Sequence, residues 1–373
     1  MIDRLHIQAG EIVAQRMFDV AYAIDLRLLE QLWASQTRSR SRRSGFSSTP
    51  PKAVAFDVPP VLLELEPVEL TFRDVATPFG ATARFYDFGV VCLALRLPIS
   101  DCSWSAFSQS IEDVDRAIGP SSPTTVWTDL MAKIQDVIAS AFTRPSVSNV
   151  QEDYLYGIVR QFSHSVRVDE LRSGSTLIPL LSGETRPLSE GATRDLLRHQ
   201  YSYYEDDLVV LTWDRAFIYD PRGDTDVADV IDVANAQLLE MRYYDELLDE
   251  ELPRMYDLVA QNQRMVFIAA PRRFAELARK LYGLVAEVTE LKEKVDNALQ
   301  VTEDVYLARI YSAALDLFRV ANVNRAVDRK LDIIRDTYTA LFNESSGRRA
   351  ELLEVIIVLL IALEIVLALL GSV

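Results

Sequence analysis

The sequence predicts an α+β protein with a mixed α/β head at residues 1–222, a long-helix stalk at 223–347 and one C-terminal transmembrane helix at 350–370. Three observations lead to this class. Segments with strand-like and helix-like spacing alternate in the first half. After residue 224 the pattern is helical throughout, and the last residues are almost entirely apolar. The 373 residues, 49% of them hydrophobic, provide ample material for a core.

The elements of the head follow from spacing and composition. Strands are predicted at 11–26, 61–70, 81–99 and 152–162 and, as a pair turned at 213–215, at 201–221. Helices are predicted at 26–33, 103–118, 124–142 and from Ser189 onward. Strand, helix, two strands and helix therefore occur twice in order. This repetition predicts two split-βαβ halves built around antiparallel sheets.

The charges of the head predict no direct contact with nucleic acid. Residues 36–52 are a Ser/Arg/Pro-rich loop in which Arg38, Arg40, Arg42 and Arg43 could touch phosphates or lipid headgroups. A solvated linker is the preferred interpretation, because no aromatic residues interleave to stack on bases. The net charge, 39 − 55 = −16, also disfavours broad contact with nucleic acid.

Motifs that commit a chain to catalysis or metal binding are absent from the sequence. It contains no GxxxxGK[ST], HExxH or GxSxG pattern, and its three histidines and two cysteines lack the short spacing of a zinc site. We therefore predict no catalytic residue, no cofactor and no metal, although the absence of motifs does not exclude an enzyme.

The stalk carries two apolar seams with heptad spacing, which predict coiled-coil packing. The first seam is Leu277, Leu281, Leu284, Val288, Leu291 and Val295, and the second is Val327, Leu331, Ile334, Tyr338 and Leu341. The two seams could pack against each other as a hairpin within one chain, or they could recruit a second chain. Spacing alone does not choose between these arrangements.

The C-terminal segment predicts a membrane anchor. Residues 350–370 form roughly 31 Å of helix at ~1.5 Å per residue, enough to cross a bilayer. Arg348 and Arg349 precede the span and predict a single-pass, tail-anchored protein of the bacterial inner membrane with a cytoplasmic head. Glu354 lies near the interface, and Glu364, deeper in the span, could make a polar contact in an oligomer or be tolerated there. A buried core helix is the alternative, because Glu364 interrupts the apolar run.

The same segment resembles a known family. Leu353, Glu354, Ile356, Ile357, Leu360, Ile361 and Glu364 match the C-terminal pattern of the "required for meiotic nuclear division" (YagE-like) proteins, although Val355 departs from it. Further likeness lies at 88–90, at 235–238 and around Asn324. The resemblance implies a homo-oligomeric membrane protein whose mitochondrial relatives support translation. It implies no catalytic residue set. The absence of a transit peptide indicates a bacterial member.

Two functions of different classes remain open. The first is a self-associating membrane scaffold or tether whose head binds a cytoplasmic protein, with the translation machinery suggested by the resemblance. The second is an enzyme or small-ligand sensor in the head. A preformed pocket lined by acids with perturbed pKa values would favour the second function.

Overall fold

The computed structural model divides the chain into two units by its contacts. Unit 1 is Met1–Tyr243 with Lys294–Ala321, and unit 2 is Tyr244–Glu293 with Asn322–Val373. These two units do not test the predicted boundary between head and stalk at residues 222 and 223, which remains a prediction. The described residues are 5–36, 41–43, 55–56, 58–146, 148–172, 177–184, 186–223, 226–263, 276, 279, 282–283, 285–290, 292–293, 299–300, 305–337, 339, 354 and 357–361.

Unit 1 is built on one large sheet. Among the described residues its strands lie in the order β10-β11-β12-β9-β1-β7-β6-β5-β3. Neighbours are antiparallel except for β12 and β9, which are parallel. The strands are β1 (His6–Asp19), β3 (Ser41–Arg43), β5 (Val61–Phe72), β6 (Val75–Phe85), β7 (Val90–Ser103), β9 (Gln151–Phe162), β10 (His199–Tyr201), β11 (Leu208–Leu211) and β12 (Arg215–Tyr219).

Short pairings complete the strands of unit 1. They are β2 (Ala21–Ile24) with β8 (Phe142–Pro145), and β4 (Ala55–Phe56) with β13 (Leu299–Gln300). The helices of the first half are α1 (Leu26–Gln36), α2 (Trp104–Ile118), α3 (Val126–Ile138), α4 (Val168–Arg172), α5 (Ile178–Ser182) and α6 (Glu190–Leu196). A 3₁₀ turn occupies Ala139–Ala141.

The central strands are covered on both faces. Ile12, Val13, Ala14 and Gln15 are consecutive in β1 and all buried, although successive side chains of a strand point to opposite faces. On the first face, apolar residues of the sheet pack with α1, α2, α3 and α5 in one continuous core. The periodicity of α2 fits this role, since Trp104, Phe107, Ile111, Val114 and Ile118 recur at helical spacing and are buried.

The second face is covered by the first half of the longest helix. This helix, α7 (Asp226–Gln263), has Pro253 inside it, and its residues from Tyr244 onward belong to unit 2. Residues 229–241 are all buried. Helix α8 (Val305–Leu317) joins this layer through Tyr311, whose hydroxyl contacts Gln237 Oε1 at 2.8 Å. Unit 1 is therefore a sheet between two helical layers.

Several sequence predictions for this unit need correction. The strand predicted at 11–26 is two strands, β1 and β2, and β3 lies within the loop predicted at 36–52. β13 lies in the stretch after residue 224 that is predicted to be helical throughout. The two split-βαβ halves are not separate, because β1 lies between β7 and β9 and joins both halves in one sheet. The strand predicted at 81–99 is two strands, with a turn at 86–89 where Gly89 has a φ of 102°. A Cβ at Gly89 would lie 1.7 Å from the carbonyl oxygen of Ala21, so this turn requires glycine. Pairing between distant strands is not visible in element order.

Unit 2 is helical in its described part. It contains the second half of α7, helical residues 285–290 and most of α9 (320–337). Lys330 Nζ binds Asp245 Oδ1 at 2.6 Å and Asp249 Oδ1 at 2.7 Å, which ties α9 to α7. Lys292 Nζ binds Asp328 Oδ1 at 2.6 Å. These ion pairs join segments that are far apart in the sequence.

The predicted membrane anchor is wrong. Within the part of the chain that the structure describes, no helix combines the length and the apolar composition that a membrane crossing requires. The transmembrane helix at 350–370, the tail-anchored topology and the inner-membrane location are corrected accordingly. The prediction relied on hydropathy, whereas Glu364 splits the apolar run into segments of nine and six residues, both below the ~20 that a span needs.

Candidate functional site

A buried ionic network joins α7 to the sheet. The Arg84 guanidinium donates from Nη2 to Asp229 Oδ1 at 2.5 Å and from Nη1 to Asp232 Oδ2 at 3.1 Å. Asp232 also accepts from Tyr156 Oη at 2.5 Å and from Gln15 Nε2 at 3.1 Å. The side chains of Arg84, Asp229 and Asp232 are 10%, 8% and 3% exposed. Two carboxylates thus share one guanidinium away from water.

Burial sets the protonation behaviour of this network. Burial raises the pKa of Asp232 to about 6; the Asp229 carboxylate acts in the same direction and Arg84 in the opposite one. Burial likewise raises the pKa of Tyr156 and of the Cys92 thiol well above their ordinary values. Cys92 therefore stays a thiol at neutral pH and is a poor nucleophile, because the thiolate is the reactive form.

The network is shielded from solvent in the part of the chain that the structure describes. Its atoms are enclosed between α7 and the sheet, and the hydrogen bonds that they make run between these two layers. Gln15 Oε1 and Asn235 Nδ2 are buried and make no hydrogen bond to the described residues. The arrangement holds a helix in register; it does not present reactive groups to a ligand.

A second arginine organises the far end of the sheet. Arg215 begins β12 with a side chain that is 7% exposed. Its Nη1 contacts a carboxylate oxygen of Glu112 and donates to the carbonyl of Leu180 at 3.1 Å, and its Nη2 donates to Asp115 Oδ2 at 2.7 Å. Gly183 ends α5 with a φ of 64°, and a Cβ there would lie 2.9 Å from Arg215 Nη2. Arg215 thus joins β12 to α2 and α5.

The turn between β11 and β12 is braced by hydrogen bonds at nearly every residue. Thr212 N donates to the carbonyl of Arg215 at 2.8 Å, and Arg215 N donates to Thr212 Oγ1 at 3.0 Å. Tyr154 Oη lies 2.9 Å from the carbonyl oxygens of both Thr212 and Arg215, and its single proton can be donated to either of them. Leu155 N donates to the carbonyl of Asp214 at 3.0 Å. The turn is therefore held in one conformation.

Trp213 stands at the tip of this turn. Its residue is 66% exposed, whereas Trp33, Trp104 and Trp127 are 6%, 2% and 2% exposed. An exposed tryptophan on a rigid turn is unusual for a residue that normally contributes a large buried area. Tryptophan is also among the residues that dominate binding energy at protein interfaces. We name residues 212–214 the hairpin tip.

Acidic residues outnumber basic ones around the hairpin tip. Burial raises the pKa of Asp214 and of Asp153, while Arg215 and Arg16 lower them respectively. Four carboxylates face two guanidinium groups, which leaves an excess of 4 − 2 = 2 negative charges when all are ionised. The group consists of Glu112, Asp115, Asp153, Asp214, Arg16 and Arg215.

An open groove lies elsewhere on unit 1. It has a volume of about 490 Å³ and is lined by Ile24, Asp25, Leu26, Arg27, Val58, Pro59 and Asp87. Asp25 Oδ1 accepts from the backbone N–H groups of Arg27 and Leu28 at 3.0 Å each, and so caps α1. The Asp25 carboxylate therefore has a structural task, and the groove offers shape more than reactive chemistry.

Most of the residues singled out in the sequence fall in unit 2 or outside the described part of the chain. Arg42 and Arg43 are exceptions, because they lie in β3 of unit 1. Val288, Val327, Leu331 and Ile334 are buried within a single chain. Glu354 is helical and exposed, and residues 357–361 are helical, apolar and exposed. Leu277, Leu281, Leu284, Leu291, Val295, Tyr338, Leu341, Arg348, Arg349 and Glu364 lie outside the described residues.

Sequence reasoning did not single out Trp213, Arg84, Asp232 or Arg215 as candidate site residues. One signal was present, because a tryptophan at a predicted hairpin turn replaces the small or polar residues that turns prefer. A second was the pair Asp229 and Asp232, which share a helix face at i, i+3 spacing. Among the described residues, no group of three or more His, Cys, Asp or Glu side chains is placed to hold a metal ion.

Comparison with known proteins places this chain beside one group of relatives. The family described as "Uncharacterized protein MJ0711, N-terminal domain" matches residues 9–225, which include the hairpin tip and all of the sheet of unit 1 except the first three residues of β1. Uncharacterized protein MJ0711 of Methanocaldococcus jannaschii is 29% identical over 196 residues, 52% of this chain and 59% of that protein. The chain thus spans less than two thirds of that relative's length. No solved structure matches the chain. Because the family match covers more than half of its residues, the chain belongs to the MJ0711 N-terminal domain family.

Proposed function

We propose that unit 1 is the protein-binding module of a non-enzymatic scaffold, and that the hairpin tip is its principal contact. The observation that carries this proposal is the exposure of Trp213, a large aromatic residue that is 66% exposed. The turn on which it lies is fixed by hydrogen bonds of Thr212, Arg215 and Tyr154. Burying such a side chain in a partner would contribute on the order of 2 kcal/mol or more to binding.

The bracing of the turn favours binding over simple exposure. A flexible loop loses conformational entropy when it binds, and this loss weakens the complex. The backbone around Trp213 is already ordered by Tyr154, Leu155 and Arg215, so little further order is needed. An aromatic side chain on a preorganised backbone supplies a large contact area and loses little conformational entropy on binding.

The charge around the tip defines the partner as a protein with a basic rim around an apolar pocket. The excess of carboxylates at Asp115, Asp153 and Asp214 would attract lysine and arginine side chains and repel phosphate backbones. The net charge of −16 acts in the same direction at longer range. A protein of the translation machinery is one partner that could have such a surface, and it is suggested by the resemblance to the "required for meiotic nuclear division" proteins. Direct nucleic-acid binding is disfavoured.

The proposal is tested by the fluorescence of Trp213, since the other three tryptophans are buried. A peptide with arginines around a central leucine, added to the full chain, should protect Trp213 from acrylamide quenching. A peptide of the same length with glutamates in place of the arginines should not. Trp213→Phe should remove the quenchable signal.

Affinity provides the matched control. Trp213→Ala should weaken binding of the basic peptide at least tenfold in calorimetry, whereas Tyr256→Ala, at another exposed aromatic, should leave it unchanged. Equal binding by the Trp213→Ala variant, or binding of the acidic peptide as tight as that of the basic one, would refute the proposal.

Self-association is a separate part of the proposal and rests on the predicted seams. Val288, Val327, Leu331 and Ile334 are already buried within one chain, so a second chain would have to use other surfaces. Sedimentation of the full chain across a hundredfold range of concentration is the test. A monomer throughout that range would exclude self-association and leave the proposed role of Trp213 standing.

A further inference from the structure

The network beneath α7 contains more buried acid than base. Asp229 and Asp232 lie on the same face of α7, and both contact the single guanidinium of Arg84. With all three groups ionised, the cluster carries one uncompensated negative charge in a site shielded from water. An uncompensated buried charge is costly, and the usual relief is that one group takes up a proton.

Asp232 is the carboxylate placed to take that proton. The shorter contact of Arg84 goes to Asp229, at 2.5 Å against 3.1 Å for Asp232. Asp232 is also the less exposed of the two, at 3% against 8%. Burial raises the pKa of Asp232 to about 6, although Arg84 and the hydrogen bonds from Tyr156 and Gln15 act in the opposite direction.

We propose that Asp232 is a proton-dependent latch, in which uptake of one proton by its carboxylate tightens the first half of α7, residues 226–243, on the sheet. The proton comes from solvent, and no covalent bond changes. After uptake Arg84 and Asp229 form a balanced pair. The Gln15 amide can turn to present Oε1, which makes no hydrogen bond to the described residues, as an acceptor for the new carboxyl proton.

The tyrosine, cysteine and arginine groups that face Asp232 have pKa values well above its own. Its surroundings come from β1, β6, the turn after β6, β7, β9 and α7 itself. They are Gln15, Arg84, Tyr86, Cys92, Tyr154, Tyr156 and Asp229. The pKa values of Tyr86, Cys92, Tyr154 and Tyr156 are raised by burial, and that of Arg84 stays high, because its carboxylate partners outweigh the effect of burial.

The direction of the pH effect follows from the sign of the shift. The folded chain holds Asp232 at a pKa of about 6, above the ordinary value of 3.8, so it binds the proton at a higher pH than the unfolded chain. The stabilisation is complete below the ordinary value and is lost as the pH rises through about 6. From pH 7.5 to pH 5, opening of α7 should become about tenfold less frequent.

Amide hydrogen exchange on the full chain measures this opening. After correction for intrinsic rates, residues 226–243 of the wild type should be about tenfold better protected at pH 5 than at pH 7.5. Asp232→Asn, which resembles the protonated state, should lack that step, and Glu246→Gln, at an exposed acid of the same helix, should keep it. A step of unchanged size in Asp232→Asn would overturn the proposal.

Two further acids require their own controls. Burial also raises the pKa of Asp19 to about 6, although its hydrogen bond with Ser146 acts in the opposite direction. Protonation of Asp19 should therefore produce a similar pH-dependent increase in amide protection around residue 19. Asp19→Asn should leave the difference between wild type and Asp232→Asn intact. Burial raises the pKa of Glu152, whose carboxylate contacts Arg242 within residues 226–243, so Glu152→Gln should be compared in the same way as Asp19→Asn.

If Asp232→Asn does not fold, carbon-13 detection of the wild-type Asp232 carboxyl decides the question. A titration midpoint between pH 5 and 7 supports the latch, and a midpoint below pH 5 overturns it. Because Trp213 takes no part, failure of the latch would leave the proposed binding function untouched.

Discussion

The two arginine networks of unit 1 share a composition but differ in access to water. Arg84 holds Asp229 and Asp232, whose side chains are 8% and 3% exposed. Arg215 holds Glu112 and Asp115, whose side chains are 24% and 35% exposed. The side chains of Arg84 and Arg215 are themselves nearly buried, at 10% and 7% exposed. The exposure of the acids, not that of the arginine, separates the two networks.

This difference has an energetic consequence. The carboxylates around Arg215 can be hydrated if the arginine is lost, whereas those around Arg84 cannot. The Arg84 network therefore fixes the position of α7 strongly and responds to protons. The Arg215 network braces the hairpin tip at lower cost and leaves Trp213 accessible. Each of the following changes acts on one side of this comparison.

Arg84→Met should have the largest effect on stability. It leaves two carboxylates buried without their cation, and such losses cost about 3–5 kcal/mol. Urea unfolding of the full chain, followed by circular dichroism, gives the change in the free energy of unfolding. Arg116→Met, at a side chain that is 73% exposed, is the control and should change it by less than about 0.5 kcal/mol. A loss below about 1 kcal/mol for Arg84→Met would contradict the importance given to burial.

Arg215→Met should cost less, about 1–3 kcal/mol, because water can reach Glu112 and Asp115. The same variant should loosen the hairpin tip, which acrylamide quenching would report as a change in the accessibility of Trp213. A loss as large as that of Arg84→Met would remove the distinction between the two networks.

Gly183→Ala should cost about 1–2 kcal/mol, since Gly183 has a positive φ and an added Cβ would lie 2.9 Å from Arg215 Nη2. The control is Gly191→Ala inside α6, where a Cβ meets only Ser189 Oγ at 4.0 Å. Alanine there should be neutral or stabilising by about 0.5–1 kcal/mol, because glycine weakens a helix interior. Thermal unfolding of both variants compares them, and equal effects would show that neither the φ of Gly183 nor its contact with Arg215 matters.

Trp213→Ala should have the smallest effect on stability, below about 0.5 kcal/mol, because an exposed side chain contributes little to folding. Urea unfolding checks this value. Together with lost peptide binding, unchanged stability would assign Trp213 to recognition. A loss of about 2 kcal/mol or more would instead give it a structural role in the turn.

Local patterns predicted several elements of unit 1 correctly. The helix beginning after Ser189 is confirmed, with Ser189 Oγ accepting from Ala192 N at 3.2 Å. The hairpin turned at 213–215 is confirmed by β11 and β12. The predicted strand at 152–162 corresponds to β9. Caps, turns and alternation are written within a few residues of sequence, so they can be recognised without the fold.

Hydropathy at the C-terminus was a poorer guide. An apolar run of this composition is typical of a membrane span, yet the described helices include none that could cross one. The aromatic signal at Trp213 was visible as a turn position but was not recognised as a site. A lone exposed tryptophan acquires meaning only when the hydrogen bonds of its neighbours are known.

The sequence by itself determined the type and approximate position of the longer strands and helices of unit 1, because those signals are local. It did not reveal the short elements β3, β10, α4 and α5. The tertiary structure alone decided that β1 joins both parts of the sheet and that Arg84 meets acids 145 and 148 residues further along the chain. It also decided that Asp232 is buried and Trp213 is exposed, which the residue types alone do not reveal. Burial and pairing depend on which distant segments pack together, and the free energy of a charge or an aromatic ring depends on that packing.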